Sequence, residues 1–200
     1  WPGVAGAGRG AWRSRARAVS KRRGLSLALY VHLPWCVSKC PYCDFNSHGQ
    51  KGELPVAEYI AALTRDLEQD LPLVWGRTIS SVFFGGGTPS LFSPEAIDRL
   101  LDGIKQCVDL EKDLEITLEA NPGTFESQKF KEFNALGINR LSIGVQSFND
   151  DLLTKLGRVH NSGEAIKAAE IAHTAGFSNF NLDLMFGLPG SELVRHSRPQ

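Results

Sequence analysis

The sequence predicts an α/β fold, part of a TIM-like (β/α) barrel, on three observations. Short apolar runs of strand type alternate with longer stretches of helical periodicity, the signature of repeated βα units on a parallel sheet. About five such units occur in the 200 residues. A complete eight-stranded barrel takes about 250 residues, so only part of one is expected.

The elements follow in order. Strands are expected at Leu27 to His32, Ile79 to Phe84, Leu114 to Glu119, Arg140 to Val145 and Asn179 to Leu184. Between the first two, Val56 to Leu71 sets Tyr59, Ile60, Leu63, Leu67 and Leu71 at helical spacing. Ser93-Pro94-Glu95-Ala96 reads as an N-cap followed by proline at the first helical position, ahead of Ile97, Leu100, Leu101 and Ile104. Lys129 to Leu136 stops at Gly137 and Glu164 to Ala175 at Gly176, both glycines being expected C-caps. In such folds the chemistry sits on the loops at the carboxyl ends of the strands.

Composition narrows the function. An apolar content of 42% with 22% charged residues is that of a soluble globular chain. No eighteen-residue apolar run exists, which excludes a membrane-spanning helix. The formal charge of zero hides an asymmetry, because residues 1–24 hold seven Lys or Arg and no acid, leaving 15 basic against 22 acidic residues in the rest. An acidic body lacks the basic footprint of a nucleic-acid binder.

Three segments are expected: a disordered basic extension at 1–24, a core at 25–190 and a polar tail at 191–200. The Arg-rich extension fits an organellar transit peptide or translated upstream sequence. A cytoplasmic location is expected, or a mitochondrial one if 1–24 is a transit peptide.

Cys36, Cys40 and Cys43 fall within eight residues, spaced C-x3-C-x2-C on the loop leaving the first strand. Three thiolates there can hold three irons of a [4Fe-4S] cluster and leave the fourth open to a substrate. The main alternative is a Cys3His zinc site completed by His32 or His48, and a further one is three unrelated structural cysteines. Cys107, among Ile104, Val108 and Leu110, is expected to be a small core residue. The second strand ends in Phe84-Gly85-Gly86-Gly87-Thr88-Pro89, which lets backbone carbonyls and amides approach a ligand or simply makes a tight turn. Polar residues mark further strand ends: Glu119, Gln146, Arg158 and Asp183. Asp183 in an apolar strand is costly unless paired, either with a ligand or as a structural partner of Arg158 or a helix end.

These motifs resemble the radical S-adenosylmethionine (SAM) superfamily. Within it, residues 27–190 resemble the oxygen-independent coproporphyrinogen III oxidase group, in particular its HemW-type haem chaperone branch. The strings carrying this are LYVHLPWCVSKCPYCDFNSH, FFGGGTPSLFSPEAI, EITLEANPGT, GINRLSIGVQSFNDDLL, LGRVH and NLDLMFGLP. The resemblance implies a radical SAM type barrel, a [4Fe-4S] cluster on Cys36, Cys40 and Cys43, and SAM contacts at Tyr30, Tyr42, Gly86, Gly87, Thr88, Glu119, Gln146, Arg158 and Asp183. The oxidases carry a fourth cysteine where this chain has Phe45, which favours the chaperone branch. Implied partners are haem or a porphyrinogen, haem-accepting proteins, and an electron donor such as a flavodoxin or ferredoxin. Arg140, Arg158, Lys39 and Lys155 are candidates for an anionic substrate, and His32, His48, His160 and His173 for a haem iron. The resemblance also implies a sixth strand and a C-terminal domain after GLP. The chain is therefore expected to be a truncated product, with 140–145 and 179–184 as a poorly shielded edge.

Overall fold

A computed structural model describes residues 26–123 and 128–188. The expected extension at 1–24 and tail at 191–200 lie outside the described residues.

The chain runs through β1 (Leu27–Leu33), β2 (Trp35–Cys36), β3 (His48–Gly49), α1 (Val56–Val74), β4 (Thr78–Gly86) and a 3-10 turn at Pro89–Leu91. It continues through α2 (Pro94–Cys107), β5 (Asp109–Ala120), α3 (Phe130–Ala135), β6 (Arg140–Gln146), α4 (Asp150–Lys155), α5 (Ser162–Thr174) and β7 (Phe180–Leu184). Five strands form one sheet in the order β1-β4-β5-β6-β7, every pairing parallel. Each new strand is added on the same side of the last, and because every pairing is parallel all the carboxyl ends come out along one rim. β2 and β3 form a separate small pair.

Alternation divides the sheet into two faces. Val31, Leu33, Val82, Phe84, Ile116, Leu118, Leu141, Ile143 and Val145 are buried in the core with α2's Ile97, Leu100, Leu101 and Ile104. α3 contributes Phe130 and Phe133, and α5 presents the small residues Ala165, Ala168 and Ala172. The alternate positions carry Tyr30, His32, Thr117, Glu119, Arg140, Ser142, Asn181 and Asp183. One face is thus an oily floor for helices, and the other is polar.

The caps explain where the helices begin and end. Ser93 Oγ accepts from the Ala96 amide at 3.2 Å, starting α2 as expected. α5 begins two residues before the predicted Glu164, because Asn161 and Glu164 form a reciprocal capping box. Gly137 and Gly176 take φ of +99° and +97°, the left-handed conformation that ends α3 and α5.

Three further differences from expectation have physical causes. Six-residue α4, capped by Asn149, is too short to show periodicity. β5 starts at Asp109 because Asp109 and Leu110 pair with Thr78 and Ile79 before a bulge. The stretch 140–145 is not an edge: β6 lies between β5 and β7 and is largely buried, while β7 and, at the opposite side, β1 are the outer strands among the described residues.

Candidate functional site

The cysteine loop leaves β1 at Leu33 and is tied back on itself. β2 and β3 pair Trp35 with His48 and Cys36 with Gly49. His48 N donates to Pro34 O at 2.7 Å and Gln50 N to Cys36 O at 2.8 Å. A turn closes from Cys43 N to Cys40 O at 3.0 Å, and Lys39 Nζ donates to Phe45 O at 3.0 Å, spanning the second and third cysteines. Cys36, Cys40 and Cys43 are half-buried and unpaired. Among the described residues, no three His, Cys, Asp or Glu side chains close on one point as the ligands of a single ion do.

His32 takes no part as a fourth ligand in this arrangement. Its Nε2 donates to Asn46 O at 2.8 Å, which leaves Nδ1 to accept from the Tyr30 hydroxyl at 3.3 Å. The predicted alternative of a zinc site completed by His32 therefore finds both ring nitrogens engaged.

The glycine segment at the end of β4 serves the packing of this loop. A Cβ on Gly86, at φ +122°, would lie 2.8 Å from the His32 ring, and one on Gly87 would lie 2.6 Å from Trp35 O. Without side chains, Gly87 N reaches Leu33 O and Thr88 N reaches Trp35 O, each at 2.8 Å. Gly86 N donates to Glu119 Oε2 at 3.0 Å. All three amides are thus used within the protein. The expectation that this segment offers both carbonyls and amides to a ligand is corrected: the amides are committed.

The strand ends supply the rest. Burial, reinforced by the Asp183 charge, holds the Glu119 carboxyl above the usual carboxylate range, against the lowering effect of the Gly86 amide and His32. Gln146 ends β6 at φ +69°, an uncommon conformation for a residue other than glycine, where its carbonyl accepts from Met185 N. Asp183 accepts from Ser142 Oγ at 2.9 Å and also from the Asn181 amide. It does not pair with Arg158, as the structural alternative had it. Arg158 instead donates to Gly144 O at 2.6 Å, Asn121 Oδ1 at 2.8 Å and Cys40 Sγ at 3.5 Å. Among the described residues its buried Nε has no partner. Burial raises the Tyr42 phenol, opposed by the Arg158 charge and reinforced by Cys40.

One open cavity of about 380 Å3 unites these groups. Cys36, Cys40, Cys43 and Tyr42 line it from the cysteine loop, and Gly86, Gly87 and Thr88 from the end of β4. Glu119, Gln146, Arg158 and Asp183 of the predicted set line it as well. Tyr30 does not line it; its exposed ring stacks beside Phe83, 6.0 Å between centroids. Phe45, Asn121, Ser142 and Met185 also line the cavity, though none was singled out as a ligand contact. Asn121 stood in the sequence as the polar residue of Glu119-Ala120-Asn121-Pro122-Gly123, and it bridges Arg158 to Thr88 Oγ1 at 3.1 Å.

The remaining candidates lie elsewhere. Arg140 donates to Thr117 and Asn181 at the amino end of β6. His160 is buried, its Nε2 donating to Val145 O at 3.0 Å. His48, His173 and Lys155 are exposed and do not line the cavity. Cys107 is half-buried at the end of α2 instead of in the core, its thiol pushed up by burial. Among the described residues no helix is long and apolar enough to cross a membrane.

Comparisons with known proteins agree with this architecture. The chain is similar to the heme chaperone HemW of Haemophilus influenzae, 54% identical over 171 residues, covering 84% of this chain and 45% of that protein. It is 52% identical over 167 residues to the Escherichia coli heme chaperone HemW, covering 84% and 44% respectively. The chain thus spans less than half the length of these relatives. Among solved structures it resembles coproporphyrinogen III oxidase (HemN) of Escherichia coli, described as a radical SAM enzyme, with a TM-score of 0.77 and 31% identity over 90% of this chain and 41% of that one. The family pattern of the Radical SAM superfamily matches residues 30–193, reaching from β1 past the end of β7. With its parallel sheet, its cysteine loop after the first strand and its rim cavity, the chain belongs to the radical SAM superfamily.

Proposed function

We propose that this chain is the cluster- and SAM-binding core of a HemW-like haem chaperone. Cys36, Cys40 and Cys43 would hold three irons of a [4Fe-4S] cluster. The donor set fits: three unpaired thiols of one loop face a common cavity. SAM would occupy the cavity, among the carbonyls of Gly86 and Gly87, Thr88, and the side chains of Glu119, Gln146, Arg158 and Asp183. Tyr42 would stand beside the cluster and Tyr30 at the margin.

When bound, a reduced cluster supplies the single electron that cleaves the SAM sulfonium; the protein's task is to bind, orient and shield. Asp183 and Glu119 offer acceptors for the cationic parts of SAM. Arg158, the one cation lining the cavity among the described residues, places a positive charge there for a carboxylate. This convergence of three thiols, two carboxyl groups and a cation on one cavity carries the reading. An electron donor of the flavodoxin or ferredoxin class would reduce the cluster, and the free thiols call for a reducing compartment.

The haem part of the proposal rests on the HemW relatives and on Phe45, which lines the cavity where the oxidases carry a fourth cysteine. Haem would pass to haem-accepting proteins. A second reading, coproporphyrinogen III oxidase, is favoured by the structural likeness to HemN. The deciding experiment gives the full-length counterpart SAM, reductant and coproporphyrinogen III anaerobically, and separately titrates it with haem. Haem transfer without decarboxylation supports the chaperone; vinyl product at catalytic turnover supports the oxidase.

A further inference from the structure

The loop between α4 and α5, Gly157 to His160, lies 118 residues from the cysteine loop in sequence and rests directly on it. Gly157 takes φ +68°, and a Cβ built there would meet Pro41 Cδ at 2.8 Å and Cγ at 3.2 Å. The next residue, Arg158, reaches Cys40 Sγ, and two further on His160 fastens the loop to Val145 O. The Arg158 amide is itself held by Leu153 O at 3.0 Å, so the guanidinium starts from a fixed backbone.

We propose that Gly157 and His160 are positioning residues that clamp the Cys40-Pro41 turn, with the bare glycine against the proline ring setting the distance at which Arg158 meets Cys40. Two requirements coincide at Gly157. Its φ favours glycine for conformational reasons, and the proline ring excludes a side chain for reasons of space. Only the second bears on the cysteines. His160 anchors the other end: its Nε2 proton is committed to Val145 O, on the strand whose Gly144 carbonyl receives Arg158.

The proposal rests on the reading that Cys40 ligates a cluster, and a double-mutant cycle separates the two. Wild type, Gly157→Ala, Pro41→Ala and the double variant, all in the full-length counterpart, are reconstituted anaerobically and assayed for iron and sulfide. The rate of iron loss to a chelator is then measured. Overpacking predicts that Gly157→Ala loses iron about tenfold faster than wild type. Pro41→Ala in the same chain should restore most of that loss, because the added methyl then faces open space. If the double variant loses iron as fast as Gly157→Ala, the glycine serves only its backbone angle and the clamp is refuted. Should Gly157→Ala fail to fold, recovery of a folded, loaded double variant supports the clamp and continued failure refutes it. His160→Ala is predicted to speed iron loss as well, and an unchanged rate there removes His160 from the proposal. Absence of iron and sulfide from wild type would instead overturn the cluster reading.

Discussion

Glu119 Oε2 accepts a hydrogen bond from Gly86 N at 3.0 Å, joining the carboxyl end of β5 to the glycine segment of β4. Burial outweighs this bond, so the folded state holds the carboxyl above its ordinary value of 4.5. Between that value and the raised one, the folded chain binds more protons than the unfolded chain. Stability from this group is complete below 4.5 and is lost as pH rises through the raised value. Glu119→Gln keeps an acceptor for Gly86 without the charge. Denaturant unfolding of the ligand-free pair should show wild type losing stability relative to the variant as pH climbs above 4.5; parallel pH profiles would contradict this.

The cysteines should divide three to one. Alanine at Cys36, Cys40 or Cys43 is predicted to abolish reconstitution, which in wild type should give about four iron and four sulfide per chain. Cys107→Ala should load normally and cost about 1 kcal/mol or less, since the residue is half-buried and away from the cavity. Stoichiometric zinc without sulfide in wild type would defeat the assignment.

Asn139 acts as a side-chain rung of the sheet. Its Oδ1 accepts from Ile116 N and its Nδ2 donates to Leu114 O, both at 2.8 Å. Asn139→Ala strands a backbone donor beside the core and should destabilise the fold by about 1–3 kcal/mol. Equilibrium unfolding measures it, and Asn139→Asp, which keeps the acceptor, should recover part of the loss.

Asp183 lines the cavity and is held by Ser142 and Asn181, residues of β6 and β7 and not of the thiols' own loop. Asp183→Ala should therefore weaken SAM binding about tenfold or more while leaving iron and sulfide content intact. Calorimetric titration of the loaded protein reads the first and metal analysis the second. A parallel loss of cluster would show that Asp183 supports the loop instead.

The strands were legible because buried parallel strands read as near-continuous apolar runs. The cap at Ser93 and the stops at Gly137 and Gly176 were legible because their chemistry is local. The β2–β3 pair was not, since two residues a side carry no pattern and the pairing follows from loop closure. In the site, the cysteine spacing and the polar residues interrupting apolar runs stood out. Their partners did not: Arg158, in the loop between α4 and α5, and Asp183, within β7, carry opposite charges and invite pairing, yet the fold sends one to Cys40 and the other to Ser142. Pairings across such sequence distances depend on sheet register, which composition does not encode.

The 118 residues between Cys40 and Arg158 also have a meaning in time. At translation rates of about 5–20 residues per second, the ribosome delivers the three thiols roughly 6–24 seconds before the guanidinium that will lie beside one of them. Through that interval the nascent chain displays its most oxidisable atoms on an unfinished wall. A cell that pauses between these codons lengthens the exposure. Premature thiol damage in this protein should therefore follow elongation speed as well as oxygen tension.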